Sequence, residues 1–313
     1  MKYCFGIDIG GTTVKMGVFQ EDGTILDKWE IKTRTENAGE AILPDICEAI
    51  MAKMKELNLA KEEIIGIGMG VPAPVKEDGI VKNTVNLGWG YKEVKREMEE
   101  LTGMKTCLGN DANMAALGEL WLGGGKGYQN MIMVTLGTGV GGGIIINGKP
   151  LVGANGSAGE IGHLCMNYEE TDHCGCGKTG CLEQYASATG IARLARQRLA
   201  KDSAESILRN AEEISAKTVF DAVKEGDAVA IEIAEKFGKY LGYACANVAA
   251  TCDPEIFVIG GGVSKAGEVL FDYIVEPFEE KAFFPNKGTR FGLATLGNDA
   301  GICGAAKLVL DAE

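Results

Sequence analysis

No run of 18 or more uncharged apolar residues occurs in the 313-residue chain, so the sequence offers no helix that could span a membrane. The amino terminus enters an apolar strand pattern at once, Tyr3-Cys4-Phe5-Gly6-Ile7, without the basic-then-apolar stretch that marks a secretory leader. A cytoplasmic protein is expected. Clusters of lysine and arginine are lacking as well: 31 basic residues stand against 44 acidic ones, for a net charge of −13. A groove that neutralises nucleic-acid phosphates needs such clusters, and so does an anionic membrane surface, so neither is expected as a partner. No proline- or serine-rich linker divides the chain, which makes any domain boundary a hinge. Histidine is scarce, with only His163 and His173 in the whole sequence.

Glycine is abundant, 45 residues, and it gathers directly after apolar runs, as at strand-to-turn junctions near a ligand. The first 26 residues read as strand Tyr3–Ile9, a Gly10-Gly11 turn, strand Val14–Phe19, an Asp22-Gly23 hairpin turn and a third strand. Residues 131–152 repeat the scheme: strand Met131–Leu136, a glycine turn over Gly137–Gly143, strand Ile144–Ile146, an Asn147-Gly148 turn, then Leu151-Val152. Two copies of one hairpin signature imply an internal duplication. Between them the pattern predicts a helix over Ala41–Leu57 with Pro44 in its first turns or at a kink, a strand Ile64–Met69 and a helix Lys92–Thr102. After them it predicts a long helical region near 186–224 and an amphipathic helix Val229–Ala250 capped by Asp227. A strand Glu255–Ile259 and a last helix Ala300–Leu310 follow. Strands alternating with helices give an α/β protein with mixed sheets.

Three glycine-bearing turns could carry a nucleotide. In Asp8-Ile9-Gly10-Gly11-Thr12-Thr13-Val14-Lys15 an acid ends a strand, glycines admit a ligand to the backbone, and two hydroxyls and a lysine complete the loop. Backbone N–H groups in such a turn bind phosphate oxygens, and Asp8 could hold Mg²⁺ through water. Gly137-Thr138-Gly139 opens the second copy, and two such loops would clamp a triphosphate. Gly261-Gly262, after another apolar strand, is either a floor for adenosine or a plain strand-to-helix turn. Asn110-Asp111 precedes the helical pattern Met114–Trp121; one of the two caps that helix, and an ionised acid there can accept a proton from an attacking hydroxyl.

Of ten cysteines, seven are scattered, mostly in apolar segments, as buried free thiols are. The other three crowd into Cys174-Gly175-Cys176 and Gly180-Cys181, downstream of His163. Three thiols and an imidazole with tight-turn glycines match a Cys₃His structural zinc site. His173 is a rival ligand, but it adjoins Cys174, which makes joint chelation awkward. Glu160 and Glu183 bracket this site, and a metal-braced loop would turn them into rigid acceptors for sugar hydroxyls.

Taken together, DIGGTTVK (8–15), NLGW (86–89), GNDAN (109–113), LGTGVGGG (136–143), GSAGEIGH (156–163), CGCGKTGCLEQYAS (174–187) and IGGGVS (259–264) resemble the ROK family of repressors, open reading frames and kinases. The resemblance covers nearly the whole chain, and segment 83–89 with the run after Cys181 is most similar to the bacterial glucokinase branch. It implies the actin-like ATPase fold, two duplicated ribonuclease-H-like domains around a cleft. The expected smaller domain is 1–109, with a C-terminal helix within 299–313 packing back on it, and the larger is 110–298, carrying the zinc loop. It further implies a kinase that uses ATP with Mg²⁺ to phosphorylate the 6-hydroxyl of glucose, with Asp111 as catalytic base. Asn110, Asp111, Glu160, His163 and Glu183 would contact the sugar. Asp8, Gly10, Gly11, Thr12, Thr13, Lys15, Gly137, Thr138, Gly139, Gly261 and Gly262 would contact the nucleotide. His163, Cys174, Cys176 and Cys181 would hold zinc, with His163 shared between metal and sugar.

A homodimer is usual for the family. Kinases for N-acetylmannosamine, N-acetylglucosamine, fructose, mannose and allose share the same acids and zinc, and polyphosphate is an alternative donor. The family's repressors add an N-terminal helix-turn-helix, for which a first strand at residue 3 leaves no room. A non-catalytic sugar-sensing regulator is expected to lack the acid that stands here as Asp111.

Overall fold

The structure, a computed structural model, describes residues 1–76, 78–84 and 86–312. Val85, within the 83–89 segment, and Glu313, at the end of 299–313, lie outside the described residues.

The chain opens with an antiparallel meander, β1 (Tyr3–Ile9), β2 (Thr13–Gln20) and β3 (Ile25–Lys32). Helix α1 (Ile42–Glu56) buries Ile42, Ile46, Ile50 and Met54 at four-residue spacing, the stripe of a helix lying on a sheet. Pro44 is its third residue, where the missing N–H has no helical partner, so it starts the helix without kinking it. Strand β4 (Ile64–Val71) runs parallel to β1. Helix α2 (Val94–Thr102) buries Val94, Met98 and Thr102 and stops at Gly103, which is left-handed. Strand β5 (Thr106–Asn110) pairs parallel with β4 and runs straight into α3 (Asp111–Leu122). The sheet order is β3-β2-β1-β4-β5.

The second half repeats that plan. β6 (Met131–Leu136), β7 (Val140–Ile146) and β8 (Lys149–Pro150) come first, followed by α4 (Glu183–Ala186), α5 (Ala188–Leu199), α6 (Ala216–Lys224) and α7 (Ala228–Cys252). Then come β9 (Ile256–Gly260), α8 (Phe271–Lys281), β10 (Arg290–Leu293) and α9 (Ala300–Leu310). The second sheet reads β8-β7-β6-β9-β10, with β9 parallel to both β6 and β10. Strand for strand this is the order of the first sheet, so the duplication legible in the two hairpins extends to all five strands.

By compactness the chain forms two units. One comprises 1–127, 143–158 and 296–312; the other comprises 128–142 and 159–295. The boundary expected at 109/110 is therefore displaced, and α3 belongs with the first unit. Its partner there is α9: a side chain at Gly304 would overlap the Met114 carbonyl, and one at Gly118 would overlap the Ala300 carbonyl. Backbones that approach so closely need glycine at the crossing. Helix α9 also lies on β1 and β4, where Gly6 meets Ile302 and Gly68 meets Ala305. Fully buried Glu119 on α3 closes the junction, accepting the N–H of Leu296 at 2.8 Å on one oxygen and that of Gly124 at 2.8 Å on the other.

Two further expectations are corrected. The helical region near 186–224 is broken twice, because Ser187 and Ser215 each turn out of helical geometry and cap a new helix, accepting from Gly190 and Thr218. The glycine turn ends at Gly139; Gly141, Gly142 and Gly143 are inside β7, where a side chain at Gly143 would stand 2.5 Å from Ala116 Cβ. Gly142 and Gly143 serve packing. Among the described residues no helix is long and apolar enough to cross a membrane.

Candidate active site and metal centre

In the first unit the β1–β2 hairpin brings Asp8 opposite Lys15 across the sheet register, and the turn is closed by the Gly10 N–H donating to Thr13 O at 3.0 Å. Thr33 Oγ1 donates to Gly10 O at 2.7 Å. Gly11 and Thr12 form the exposed tip, with Asn86 of the NLGW segment packed beneath Gly11. Burial raises the Asp8 pKa above the ordinary carboxylate value, the nearby Lys15 ammonium opposes that rise, and the Asp111 carboxylate adds to it. A cation held here would reverse that balance. Asp8 also lies against the first turn of α9, where Gly301 leaves it room, and Lys15 Nζ donates to Asn298 O at 3.4 Å.

Asn110, and not Asp111, is the cap of α3: its Oδ1 accepts the N–H groups of Ala112 at 3.0 Å and Asn113 at 3.2 Å. Its Nδ2 donates to Ala73 O at 3.2 Å and to Asp111 Oδ1 at 2.9 Å. Ala112 N–H also donates to Asp111 Oδ1 at 2.8 Å. Asp111 is thus the first residue of the helix, its carboxylate oriented by a side-chain amide and by the backbone at the positive end of the dipole.

In the second unit, the short turn Ile161–His163 carries His163, and the loop 174–181 brings three thiols to it. The ligand atoms of His163, Cys174, Cys176 and Cys181 lie within 4.8 Å of one another, and Cys176 Sγ is 3.6 Å from Cys181 Sγ. Tetrahedral Zn–S bonds of about 2.3 Å put sulfurs about 3.8 Å apart. His163 Nδ1 is buried without a hydrogen-bond partner, the state of an imidazole whose partner is a metal. The four residues fit zinc. His173 lies outside this set, its Nδ1 at 3.2 Å from Gly177 O. The loop is fastened by Cys174 N–H to Lys178 O at 2.7 Å, Met166 N–H to Gly180 O at 2.7 Å and Leu182 N–H to Leu164 O at 2.9 Å.

Around this loop is a network that the motifs did not signal. Tyr185 Oη donates to Glu170 Oε2 at 2.6 Å, Arg193 pairs with both Glu170 and Asp172, and Gln184 Nε2 donates to Asp172 O at 2.8 Å. Burial opposes charge on Glu170, but the hydrogen bonds from Tyr185 and Arg193 prevail and bring its pKa down to about 2. The only sequence sign of this network is its place beside the cysteine cluster.

Glu160 is exposed and precedes the His163 turn, whereas Glu183 is half-buried at the start of α4. Gly137-Thr138-Gly139 forms the tight turn between β6 and β7, closed by the Gly137 N–H donating to Gly139 O at 3.0 Å. Gly261 follows the last residue of β9 with φ +84°, and a side chain there would lie 2.5 Å from Leu136 O, so the β6 and β9 termini can only meet around a glycine. Gly262 and Gly137 face open space. Within each unit the expected residues therefore gather at strand ends: Asp8 to Lys15 with Asn110 and Asp111 in one, and both glycine turns with the metal cluster and its acids in the other.

The profile of the ROK family matches residues 4–312. The chain belongs to the ROK family. It is 44% identical to the glucokinase of Halalkalibacterium halodurans over 318 aligned positions, covering 100% of this chain and 96% of that one. It is 38% identical to the glucokinase of Thermotoga maritima, covering 97% and 96%. Among solved structures, a ROK family glucokinase from Streptomyces griseus in complex with glucose and AMPPNP superposes with a TM-score of 0.72, at 34% identity and 98% coverage of both chains. The mixed α/β architecture with two sheets is that of ROK kinases, the actin-like ATPase fold.

Proposed function

We propose that this ROK protein is an ATP-dependent glucose kinase that forms glucose 6-phosphate, with Asp111 as general base. The observation that carries the reading is its full-length likeness to glucokinases at 44% identity. The Asp111 carboxylate takes the proton of the 6-hydroxyl as that oxygen forms its bond to the γ-phosphorus of MgATP, and the bond to ADP breaks. Asn110 serves this step twice, by orienting Asp111 and by fixing the start of α3. Asn110, Glu160, His163 and Glu183 are the further sugar contacts. The turns at 10–13 and 137–139 receive the phosphates, with Lys15 as a cationic partner and Asp8 as the group for the nucleotide's Mg²⁺; Gly261 and Gly262 floor the adenosine. Zinc bound by His163, Cys174, Cys176 and Cys181 supplies bracing, since four protein ligands close its coordination. The chain acts in the cytoplasm as a homodimer, a state that sedimentation equilibrium checks.

A coupled assay of ADP formation with hexoses and N-acetylhexosamines in the presence of ATP, and a direct assay of sugar phosphate formed with polyphosphate in its place, test the reading. Glucose with ATP is expected to give the highest kcat/KM. A tenfold preference for an N-acetylhexosamine, fructose, mannose or allose would move the substrate, and turnover of none would leave a sugar-sensing regulator.

A further inference from the structure

Glu183 stands two residues after the metal-cluster residue Cys181 and does something that its role as a sugar contact does not require. Its Oε2 accepts the N–H of Val140 at 2.9 Å, and its carboxylate covers Gly139 so closely that any side chain there would overlap it. Its other oxygen, Oε1, lies 3.4 Å from Cys174 Sγ. Five and six residues further on, two more bonds reach the same turn. Ala188 N–H donates to Gly137 O at 2.8 Å, and Thr189 Oγ1 donates to Thr138 O at 2.8 Å. The turn between β6 and β7 is thus lashed, residue by residue, to the segment that the metal cluster anchors.

We propose that Glu183 and Thr189 are positioning residues for the nucleotide: they hold the 137–139 turn in its phosphate-binding shape, and the zinc centre sets nucleotide affinity through Glu183. This rests on the reading of that turn as a phosphate loop. A turn with two glycines, left unfastened, visits many conformations, and a ligand that needs one of them binds more weakly by the fraction of time spent in it. Cys174 as a metal-bound thiolate donates nothing to Oε1, which leaves that oxygen for a sugar hydroxyl while Oε2 keeps Val140. One carboxylate then touches the sugar and fixes the nucleotide turn, and such coupling is reciprocal: each substrate tightens the other.

Calorimetric titration of the full-length protein with ADP, and separately with glucose, tests this, alongside zinc content by elemental analysis. Thr189→Val removes one lash at a distance from the metal ligands. It is expected to weaken ADP by about fivefold or more while zinc content and glucose affinity stay within about twofold of wild type. Glu183→Ala should weaken both ligands. Glu183→Gln, which retains an acceptor for Val140 N–H, should recover most of the ADP affinity. Chelation of zinc from the wild type should weaken ADP about as much as Glu183→Ala does. ADP affinity unchanged in both Thr189→Val and Glu183→Ala would overturn the proposal. Gly137→Val separates the two readings, because a Cβ at this position enters open space over the turn with no protein atom within 4 Å. If it leaves ADP binding intact, the turn is not the phosphate loop; if it weakens ADP while the other two variants do not, only the lashing fails.

Discussion

Asp111 and Asn110 show how much turns on which of two adjacent residues caps a helix. Because the amide of Asn110 takes the cap, the carboxylate of Asp111 is spared that task and can act as a base. Asp111→Asn keeps an oxygen that accepts from Ala112 N–H, so the fold and ATP affinity are expected to survive, while kcat falls about 10²-fold or more. Steady-state kinetics decide this, and near-normal turnover would remove Asp111 from the mechanism. At Gly139 valine is a poor probe of phosphate binding, since it would displace the Glu183 carboxylate. The expected result for Gly139→Val is therefore a weakened KM for both substrates with a lowered melting temperature. Gly137→Val should raise KM for ATP alone.

Helix α7 is the longest element, and its start is held by one carboxylate. Asp227 Oδ1 accepts from Ala230 N–H at 2.8 Å and Ser206 Oγ at 3.1 Å, and Oδ2 accepts from Ile207 N–H at 2.6 Å. Burial opposes ionisation of Asp227, but these bonds outweigh it and its pKa is lowered from 3.8. A lowered folded-state pKa means stability that is present above the ordinary value and lost as pH falls below it. Asp227→Ala should cost about 1–2 kcal/mol at pH 7, the usual worth of a cap, and the gap to wild type should close as pH drops below about 4. Melting curves at pH 7 and in acid measure it, and a gap independent of pH would contradict the charge-based account. This cap was legible in the sequence, as were β1, β6 and α9, because each is bounded by turn residues or a cap at the end of a clean apolar pattern. Helix α8 was not, because Pro277 sits inside it and only Ile274 and Phe278 are buried. Strand β10 was not, being four residues long with an arginine and a glycine. The duplication could have found it, since the first copy has a fifth strand in the same place. The gathering of His163, Cys174, Cys176 and Cys181 into one cluster was legible because thiol chemistry leaves few other reasons for that spacing. The lash from Glu183 was not, since a hydrogen bond between residues 43 apart leaves no local pattern.

The first unit is assembled from three stretches of chain, so its closure depends on residues far along the chain from its opening strands. Helix α9 buries Ile302, Cys303, Ala305, Ala306 and Val309, and with Cys4 and Phe19 four of these residues (Ile302, Cys303, Ala306 and Val309) form a core cluster on the sheet. Burying a large aliphatic side chain contributes about 1.5–3 kcal/mol, and the backbone approach at Gly6, Gly68, Gly118 and Gly304 adds close packing on both sides of the helix. Against a net domain stability of about 5–15 kcal/mol, loss of this helix exceeds what the remaining stretches can absorb. Glu119 would lose the Leu296 N–H at the same time. A chain ending at residue 295 is therefore expected to lose the order of its first unit, with limited proteolysis cutting within 1–127 under conditions where the full-length chain resists. Gly304→Val, which forces α3 and α9 apart without shortening the chain, should act in the same direction but less, by about 1–3 kcal/mol in thermal or denaturant unfolding. If the truncated chain melts and resists protease as the full-length one does, α9 is an ornament on the first unit and not part of its core.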